Sequence, residues 1–322
     1  MTGPLTAWAV EGIGEIAPGD DIAQVIVDQL AEPLRGGDVV VVTSKIVSKA
    51  AGLALRGDRD DLLDAETDRV VARRGPTRIV RTHGGLTLAA AGIDASNIEA
   101  GTIIALPRDP DGAARALRAR LVELAGVELG VVITDTAGRA WRIGQTDIAI
   151  GSAGIRPSLS FDGVEDSYGN VLAVTAPAVA DEIASAADLV AGKLGGRPVV
   201  IVRGLPAEWF DASAPGAASL IRDEDGDLFG LGSRDAVLVA AGYDDAPRGF
   251  PSAEADDDLI ALAREGIDPA LAGVERDAEG DLVVTALAET AAAHGEAGRL
   301  AERLRILARA LRQDVRVCLD LA

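Results

Sequence analysis

Aromatic residues, cysteines, histidines and long apolar runs are all scarce in this sequence. Phe, Tyr and Trp make up 3 % of the 322 residues although hydrophobic residues make up 48 %, so we expect small side chains to fill the core. Cys318 is the only cysteine, which excludes an intrachain disulfide and a thiolate zinc site and favours a reducing cytoplasm. No apolar run approaches the roughly 20 residues of a membrane span, and the N-terminus lacks the features of a secretory signal.

Positive charge is also in short supply. The chain has 31 basic and 51 acidic residues, a net charge of −20. Nucleic acids and anionic membranes require a basic surface, so we expect neither as a partner. A phosphate site is still possible, because it needs only local cations and backbone N–H groups. His83 and His294 are the only histidines, and we expect carboxylates, lysines, arginines and backbone dipoles to carry any chemistry.

Short β-branched runs alternate with helical spacing along the chain, which predicts a mixed α/β or α+β fold. Residues 86–92 and 102–106 lie too close together for a helical crossover, so we expect some antiparallel pairing. We predict helices at 20–35, 59–73, 111–125 and 177–193, and strands at 38–45, 77–82, 86–92, 102–106, 131–134 and 197–204.

The composition shifts near residue 245. Residues 243–258, YDDAPRGFPSAEADDD, lack periodicity and are typical of a linker. We therefore predict two parts, residues 1–245 and a mostly helical extension at 246–322 that is dispensable for the chemistry. In the extension, 282–312 has the pattern of one or two amphipathic helices, and VRVCLDL (315–321) has that of a last strand.

Three stretches place polar side chains after predicted strands. In TSKIVSKAAG (43–52), Ser44 can donate to a phosphate and Lys49 can neutralise it; a helix N-cap at Ser44 with solvated lysines is an equally good interpretation. In AAAGIDASNIEAG (89–101), Asp94 and Asn97 follow small residues, and a plain turn explains them as well.

The third stretch is VVITDTAGRAWRIGQTDIAIG (131–151). Asp135 and Thr136 offer a carboxylate and a hydroxyl to one point, which suits a hard cation such as Mg²⁺ or Mn²⁺. Arg139 and Arg142 could hold phosphate oxygens. In the alternative interpretation, Asp135 caps a helix or pairs with Arg139. Taken together, the three stretches favour a phosphoryl-transfer site.

Several long motifs occur here in one order: GDVVVVTSKIVSKAAG, AAAGIDASN, ITDTAGRAWRIGQTDIAIG, ADEIASAADLVAGK and VVIVRG. Over residues 8–245 they resemble the coenzyme F420-0:γ-glutamyl ligase family, including the N-terminal ligase domain of the actinobacterial two-domain version. The resemblance implies a GTP- and metal-dependent enzyme that joins L-glutamate to coenzyme F420-0 and then adds γ-linked glutamates. It also implies an α+β fold that is not a Rossmann fold, and an intertwined homodimer.

The resemblance also implies site residues. The ligands of Mg²⁺ or Mn²⁺, with K⁺ as a further candidate ion, fall on Asp94, Asp135 and Thr136. The GTP contacts fall on Ile13, Gly14, Glu15, Ile16, Ser44, Lys49 and Asn97, with Arg203 and Gly204 lining the site. Arg139 and Arg142 are the catalytic candidates. Gly14 stands where relatives often have proline, and residues 246–322 are too short for the nitroreductase-like second domain of the two-domain relatives.

Two other interpretations stay open at this point. The chain could be a non-catalytic protein that binds a nucleotide or a deazaflavin, with residues 246–322 as its interaction module. It could also be a ligase of the same chemistry that acts on another carboxylate, because the acceptor pocket is not evident from the sequence.

Overall fold

A computed structural model describes residues 4–95, 101–242, 259–311 and 313–321 of the chain. The chain divides into two compact units, Met1–Val70 with Gly75–Ile221, and Val71–Arg74 with Arg222–Ala322. The predicted linker, 243–258, lies outside the described residues. The helices are α1 Ile22–Gln29, α2 Ser44–Ala50, α3 Arg59–Glu66, α4 Pro110–Ala125, α5 Val179–Ala191, α6 Ser233–Ala240, α7 Leu259–Arg264 and α8 Ala291–Ala310. The strands are β1 Thr6–Ala9, β2 Val39–Thr43, β3 Ala54–Arg56, β4 Thr67–Arg74, β5 Thr77–Thr82, β6 Thr87–Ala89, β7 Thr102–Ile104, β8 Gly130–Gly138, β9 Gln145–Ala153, β10 Val199–Arg203, β11 Ala272–Arg276, β12 Leu282–Ala286 and β13 Val317–Asp320.

The first unit is built on a five-stranded sheet of order β1-β10-β2-β8-β9. Only β2 and β8 pair in parallel, and the other three pairings are antiparallel. Strands β6 and β7 also pair antiparallel, with β5 and β3 respectively. The predictions of a mixed α+β fold and of some antiparallel pairing are therefore confirmed, and the sheet has no Rossmann-like arrangement.

Both faces of this sheet are covered, which explains the continuous valine run of β2. Val40 and Val42 face a core shared with helices α1 and α4, which contribute Ile26 and Leu121. Their neighbours on the strand, such as Val41, face a second core under helix α5. The alternation follows from the two-residue period of a strand. Among the described residues, every buried member of both cores is aliphatic, in keeping with the scarcity of aromatic residues.

Two predicted elements differ from the structure. The helix expected at 59–73 ends at Glu66, and β4 follows, because Thr67, Val70 and Val71 are β-branched residues that favour a strand. The helical pattern expected over 282–312 contains strand β12 before α8, since residues 282–286 alternate between buried and half-buried positions. The last strand, predicted at 315–321, is present as β13.

The second unit has a hydrophobic core of its own. Leu282, Leu300 and Leu304 are fully buried in it, and every buried member lies between residues 259 and 317. Its sheet has the order β11-β12-β13, with β12 and β13 parallel and joined through α8. The dispensability of residues 246–322 for the chemistry stays a prediction. Among the described residues, no helix combines the length and apolarity that crossing a membrane requires.

Candidate functional site

Strand β8 extends beyond the strand beside it, and this mismatch opens a cavity. The last pair between β2 and β8 is Thr43 with Thr134, after which β2 turns into helix α2. Strand β8 continues to Gly138, paired only with β9. The prediction that Asp135 and Thr136 follow the end of a strand is thus wrong, because both lie inside β8, at the point where the neighbouring strand has ended.

Asp135 is partly buried at this point. Its Oδ1 accepts a hydrogen bond of 3.0 Å from the Ser44 hydroxyl. Burial raises the pKa of the Asp135 carboxyl to about 6, and the nearby charges of Asp147 and Asp94 contribute, against the lowering effect of the Ser44 hydrogen bond. Neither alternative role applies, because Asp135 caps no helix and Arg139 donates instead to the Ile143 carbonyl. The partly buried Asp135 carboxylate therefore lies close to two further acidic side chains, those of Asp94 and Asp147.

Asp147 is held on strand β9 by two threonines of β8. Its Oδ2 accepts from the Thr134 hydroxyl at 2.9 Å and its Oδ1 from the Thr136 hydroxyl at 2.8 Å. The pairing shifts by one residue between Ile133 and Thr134, so that Ile150 is extra on β9. Such a bulge changes the direction of side chains near functional sites. The two threonines lie on one face of β8, and Asp135 lies between them on the other.

Asp94 reaches the site through a strained turn. The predicted strand at 86–92 ends at Ala89, and Ala90 and Ala91 adopt φ values of 53° and 55°, which are uncommon for residues other than glycine. Gly92 follows at φ +70°, where a Cβ would lie 3.3 Å from Asp135 Oδ2 and still closer to Leu106. The turn therefore brings the backbone at Gly92 close to Asp135 and places Asp94 near it. There the Asp94 carboxylate pairs with Lys45 Nζ at 2.7 Å.

Helix α2 supplies the lysines on this side. Its N-cap is Thr43, without a side-chain capping bond, so Ser44 is free of a capping role and bonds Asp135 instead. Lys49 is buried and its ammonium pairs with Glu15. The alternative of a capping Ser44 with solvated lysines is therefore wrong for both Ser44 and Lys49.

These groups surround a cavity of about 500 Å³. Nine of the site residues expected from the resemblance line it, from four separate parts of the chain: Ile13, Gly14, Glu15, Ile16, Ser44, Lys49, Asp94, Asp135 and Thr136. The folded chain thus brings them together, and the role of each residue stays a prediction. Asn97 lies outside the described residues.

Four expected residues do not line the cavity. Arg139 and Arg142 lie at the exposed tip between β8 and β9, beside Ile143, whose side chain is fully exposed. Arg203 lies at the opposite end of the sheet, because β10 runs antiparallel to β2. There its guanidinium holds both oxygens of the buried Asp38 at 2.7 and 2.8 Å. Gly204 follows it, with φ +101° and no room for a Cβ beside the Pro4 carbonyl.

The cavity also contains residues that we did not predict from the sequence. Asp188, Lys193 and Arg197 line it from the end of helix α5 and the loop that follows. A signal for Lys193 was present in the sequence. The chain has only three lysines, Lys45, Lys49 and Lys193, and every other cationic side chain at neutral pH is arginine. All three lysines line this one cavity.

A divalent ion fits the chemistry of these donors. Mg²⁺ and Mn²⁺ prefer oxygen ligands, and Mg²⁺ is usually bound by one or two carboxylates together with water and substrate phosphates. Asp135 and Asp94 are close enough to interact electrostatically, and Thr136 adds a hydroxyl. Within the described residues, no cluster of three His, Cys, Asp or Glu side chains could hold an ion by itself. The residues therefore suit an ion that a bound phosphate helps to coordinate.

Comparison with known proteins gives a consistent result. The sequence model of the family described as F420-0:Gamma-glutamyl ligase matches residues 12–59 and 61–204. Two similar proteins, both named Coenzyme F420:L-glutamate ligase, come from Methanopyrus kandleri and Methanothermobacter thermautotrophicus. The first is 39 % identical over 238 residues, which are 67 % of this chain and 93 % of that protein. The second is 38 % identical over 250 residues, 70 % of this chain and 98 % of that protein.

Proposed function

Because this chain belongs to the F420-0:gamma-glutamyl ligase family, it is a ligase that forms amide bonds, and we propose that it joins L-glutamate to the carboxylate tail of coenzyme F420-0. The proposal includes GTP and a divalent metal ion as requirements, and further γ-linked glutamates as later products. The observation that carries it is the cavity in which the motif residues of the family meet: Ser44, Lys49, Asp94, Asp135 and Thr136.

The chemistry explains why such an enzyme needs a phosphoryl donor. A carboxylate resists attack by an amine because oxide is a poor leaving group. Transfer of the GTP γ-phosphoryl group to the carboxylate gives an acyl phosphate, from which attack by the glutamate amine expels phosphate. A divalent ion, when bound, neutralises charge on the phosphates. The protein must position the two substrates and exclude water from the intermediate.

The cavity has groups for these tasks. Lys45 and Lys49 supply positive charge for phosphate oxygens, and each is held by an acidic neighbour that a ligand could displace. Asp94, Asp135 and Thr136 supply oxygen ligands for Mg²⁺ or Mn²⁺. We include an intertwined homodimer in the proposal. In such a dimer a second copy could cover the exposed tip with Trp141 and Ile143, whose side chains are 81 % and 101 % exposed in the single chain.

The proposal predicts GDP release that depends on both glutamate and coenzyme F420-0. The measurement is an incubation of purified protein with GTP, Mn²⁺, glutamate and coenzyme F420-0, with each component omitted in turn and products read by mass spectrometry. We expect GDP and the glutamate adduct only in the complete mixture. If GTP stays intact with every component present, the ligase proposal is wrong and the non-catalytic alternative gains. Turnover with another carboxylate alone would favour a different acceptor.

We predict that Lys49→Ala weakens GTP binding by roughly tenfold to a hundredfold, because a hydrogen bond to a charged group contributes about 1.5–3 kcal/mol. Lys49 is buried and paired with Glu15, so the substitution also affects stability, contrary to the solvated lysine that the sequence suggested. Titration of the folded variant with a fluorescent GTP analogue separates the two effects. The control is Arg115→Ala, which removes an exposed cation on helix α4. Equal affinities of Lys49→Ala and this control would remove Lys49 from the site.

A further inference from the structure

One wall of the cavity carries none of the residues that we assign to phosphate or metal binding. Helix α5 ends at Ala191, and the loop after it carries Lys193 into the cavity lining. Asp188, in the last turn of the helix, lines the same wall. Gly192 permits the turn between them, since its φ of +64° is unfavourable for other residues.

Helix α5 is bonded to strand β9, the neighbour of the strand that carries Asp135 and Thr136. The Ser185 hydroxyl is 2.8 Å from the Thr146 hydroxyl and donates to the Asp147 carbonyl at 3.0 Å. Near the start of the same helix, Asp181 accepts from the Ala149 backbone N–H at 2.9 Å. After the helix, Arg197 donates from Nε to the Ala191 carbonyl at 2.9 Å. These bonds position Asp188 relative to β9, and the Arg197 bond closes the loop that carries Lys193.

Of the three charged groups on this wall, Arg197 pairs with Glu11 at 3.6 Å, whereas Asp188 and Lys193 lack an opposite charge at ion-pair distance among the described residues. Lys193 Nζ lies 3.5 Å from the Thr136 hydroxyl and pairs with no carboxylate among the described residues. Asp188 has no ion pair within the same residues. Burial raises the pKa of the Asp188 carboxyl, with a further contribution from the charge of Asp147 and an opposing one from Lys193. The two lysines on α2, by contrast, are already paired with acids.

The charge distribution on this wall suits a zwitterion better than a phosphate. The C-terminal end of a helix carries partial negative charge, which attracts cations and repels phosphate. Asp188 adds a full negative charge at that end of α5, and Lys193 offers a positive charge five residues later. An amino acid presents an ammonium and carboxylates in the same way. Lys45 and Lys49, on the other wall, leave phosphate a separate place to bind.

We propose that Asp188 and Lys193 form the subsite for the amine substrate, with Asp188 binding the ammonium group of glutamate and Lys193 binding one of its carboxylates. This assignment rests on the proposed function and names the place of its second substrate. It also gives a reason for the lysine at position 193, because an ammonium is a compact charge that can contact a carboxylate in a narrow space. Outside this cavity, the cationic side chains of the chain are arginines.

The test is steady-state kinetics of Asp188→Asn and Lys193→Met, with glutamate and GTP varied separately. Loss of one charged contact should raise the KM for glutamate roughly tenfold to a hundredfold. The KM for GTP should stay within about twofold. Lys193→Arg should recover part of the glutamate affinity because it keeps the charge. Glu182→Gln on the exposed side of α5 and Arg115→Met on α4 are the controls, and both should behave as the unsubstituted protein.

Each outcome decides a different question. If the unsubstituted protein shows no glutamate-dependent turnover, the proposed function fails and this assignment fails with it. If that protein is active but the variants raise the KM for GTP instead, or leave both KM values unchanged, only the subsite is wrong. Melting curves followed by tryptophan fluorescence identify a variant that is merely unfolded. If Lys193→Met is unfolded, the KM of Lys193→Arg for glutamate decides whether the charge at position 193 binds glutamate. At position 188, Asp188→Glu, which also keeps the charge, serves the same purpose.

Discussion

Asp135→Asn is expected to stabilise the metal-free protein above pH 6 and, at the same time, to remove most of its response to Mn²⁺. Burial and the charges of Asp147 and Asp94 raise the pKa of Asp135 to about 6. A carboxyl whose pKa is higher in the folded state contributes stability below its unfolded pKa and loses that contribution as pH rises through the folded pKa. The charged carboxylate is therefore unfavourable at pH 8. Asparagine removes the charge and can still accept the bond from Ser44.

The size of this effect follows from the shift. One pKa unit corresponds to 1.36 kcal/mol, so a change from 3.8 to about 6 gives at most roughly 3 kcal/mol at pH 8 and nothing below about pH 4. Mn²⁺ should raise the melting temperature of the unsubstituted protein, because a ligand that binds only the folded state stabilises it. The variant should lack most of this increase, and its activity should fall with it.

Thermal melts at pH 4 and pH 8, with and without Mn²⁺, measure the stability of the metal-free variant and its response to Mn²⁺. The readout is specific, because Trp8, Trp141 and Trp209 all belong to the first unit. The matched control is Glu182→Gln, which replaces an exposed acid on α5. It should change neither the stability of the metal-free protein nor the Mn²⁺ response. An unchanged Mn²⁺ response in Asp135→Asn would exclude Asp135 from the metal site. A stability difference that persists at pH 4 would show that the charge is not the cause.

Asp111→Ala is expected to destabilise the first unit by about 3–5 kcal/mol, because it leaves several buried donors without an acceptor. Asp111 is buried in the first turn of α4, where Oδ1 accepts from the Ser152 and Ala217 N–H groups, each at 2.8 Å. Its Oδ2 accepts from the Ala218 N–H at 3.1 Å. One carboxylate thus joins helix α4, strand β9 and the segment at 217–220, and it supports the strand that carries Asp147.

Asp109→Ala is the matched control for this substitution. Asp109 is two residues away, exposed, and caps α4 by accepting from the Gly112 N–H at 2.7 Å. Loss of such a cap costs about 1 kcal/mol. Urea unfolding followed by tryptophan fluorescence compares the two variants. If both lower the midpoint equally, the three hydrogen bonds of Asp111 contribute no more than a helix cap, and the argument from buried donors is wrong.

The sequence alone determined the class of the fold and most of the elements that frame the site. Uninterrupted valines predicted β2 because a strand buried on both faces needs no polar alternation. Helix α4 was predicted almost to its ends, since its apolar residues follow helical spacing. The ordered motifs identified the family, and nine of the expected site residues do line one cavity. These inferences depend on local pattern, which a linear sequence contains.

Only the tertiary structure decided which distant residues meet. Asp135 was expected after a strand, but it lies within one, because β2 ends at Thr43 while β8 continues. Arg203 belongs to one of the family motifs and was expected to line the site. The antiparallel direction of β10 instead puts it at the far end of the sheet. Lys193 joins Lys45 and Lys49 across about 145 residues of chain because α5 is bonded to β9. Strand length, strand direction and helix packing are long-range properties, and no local spacing encodes them.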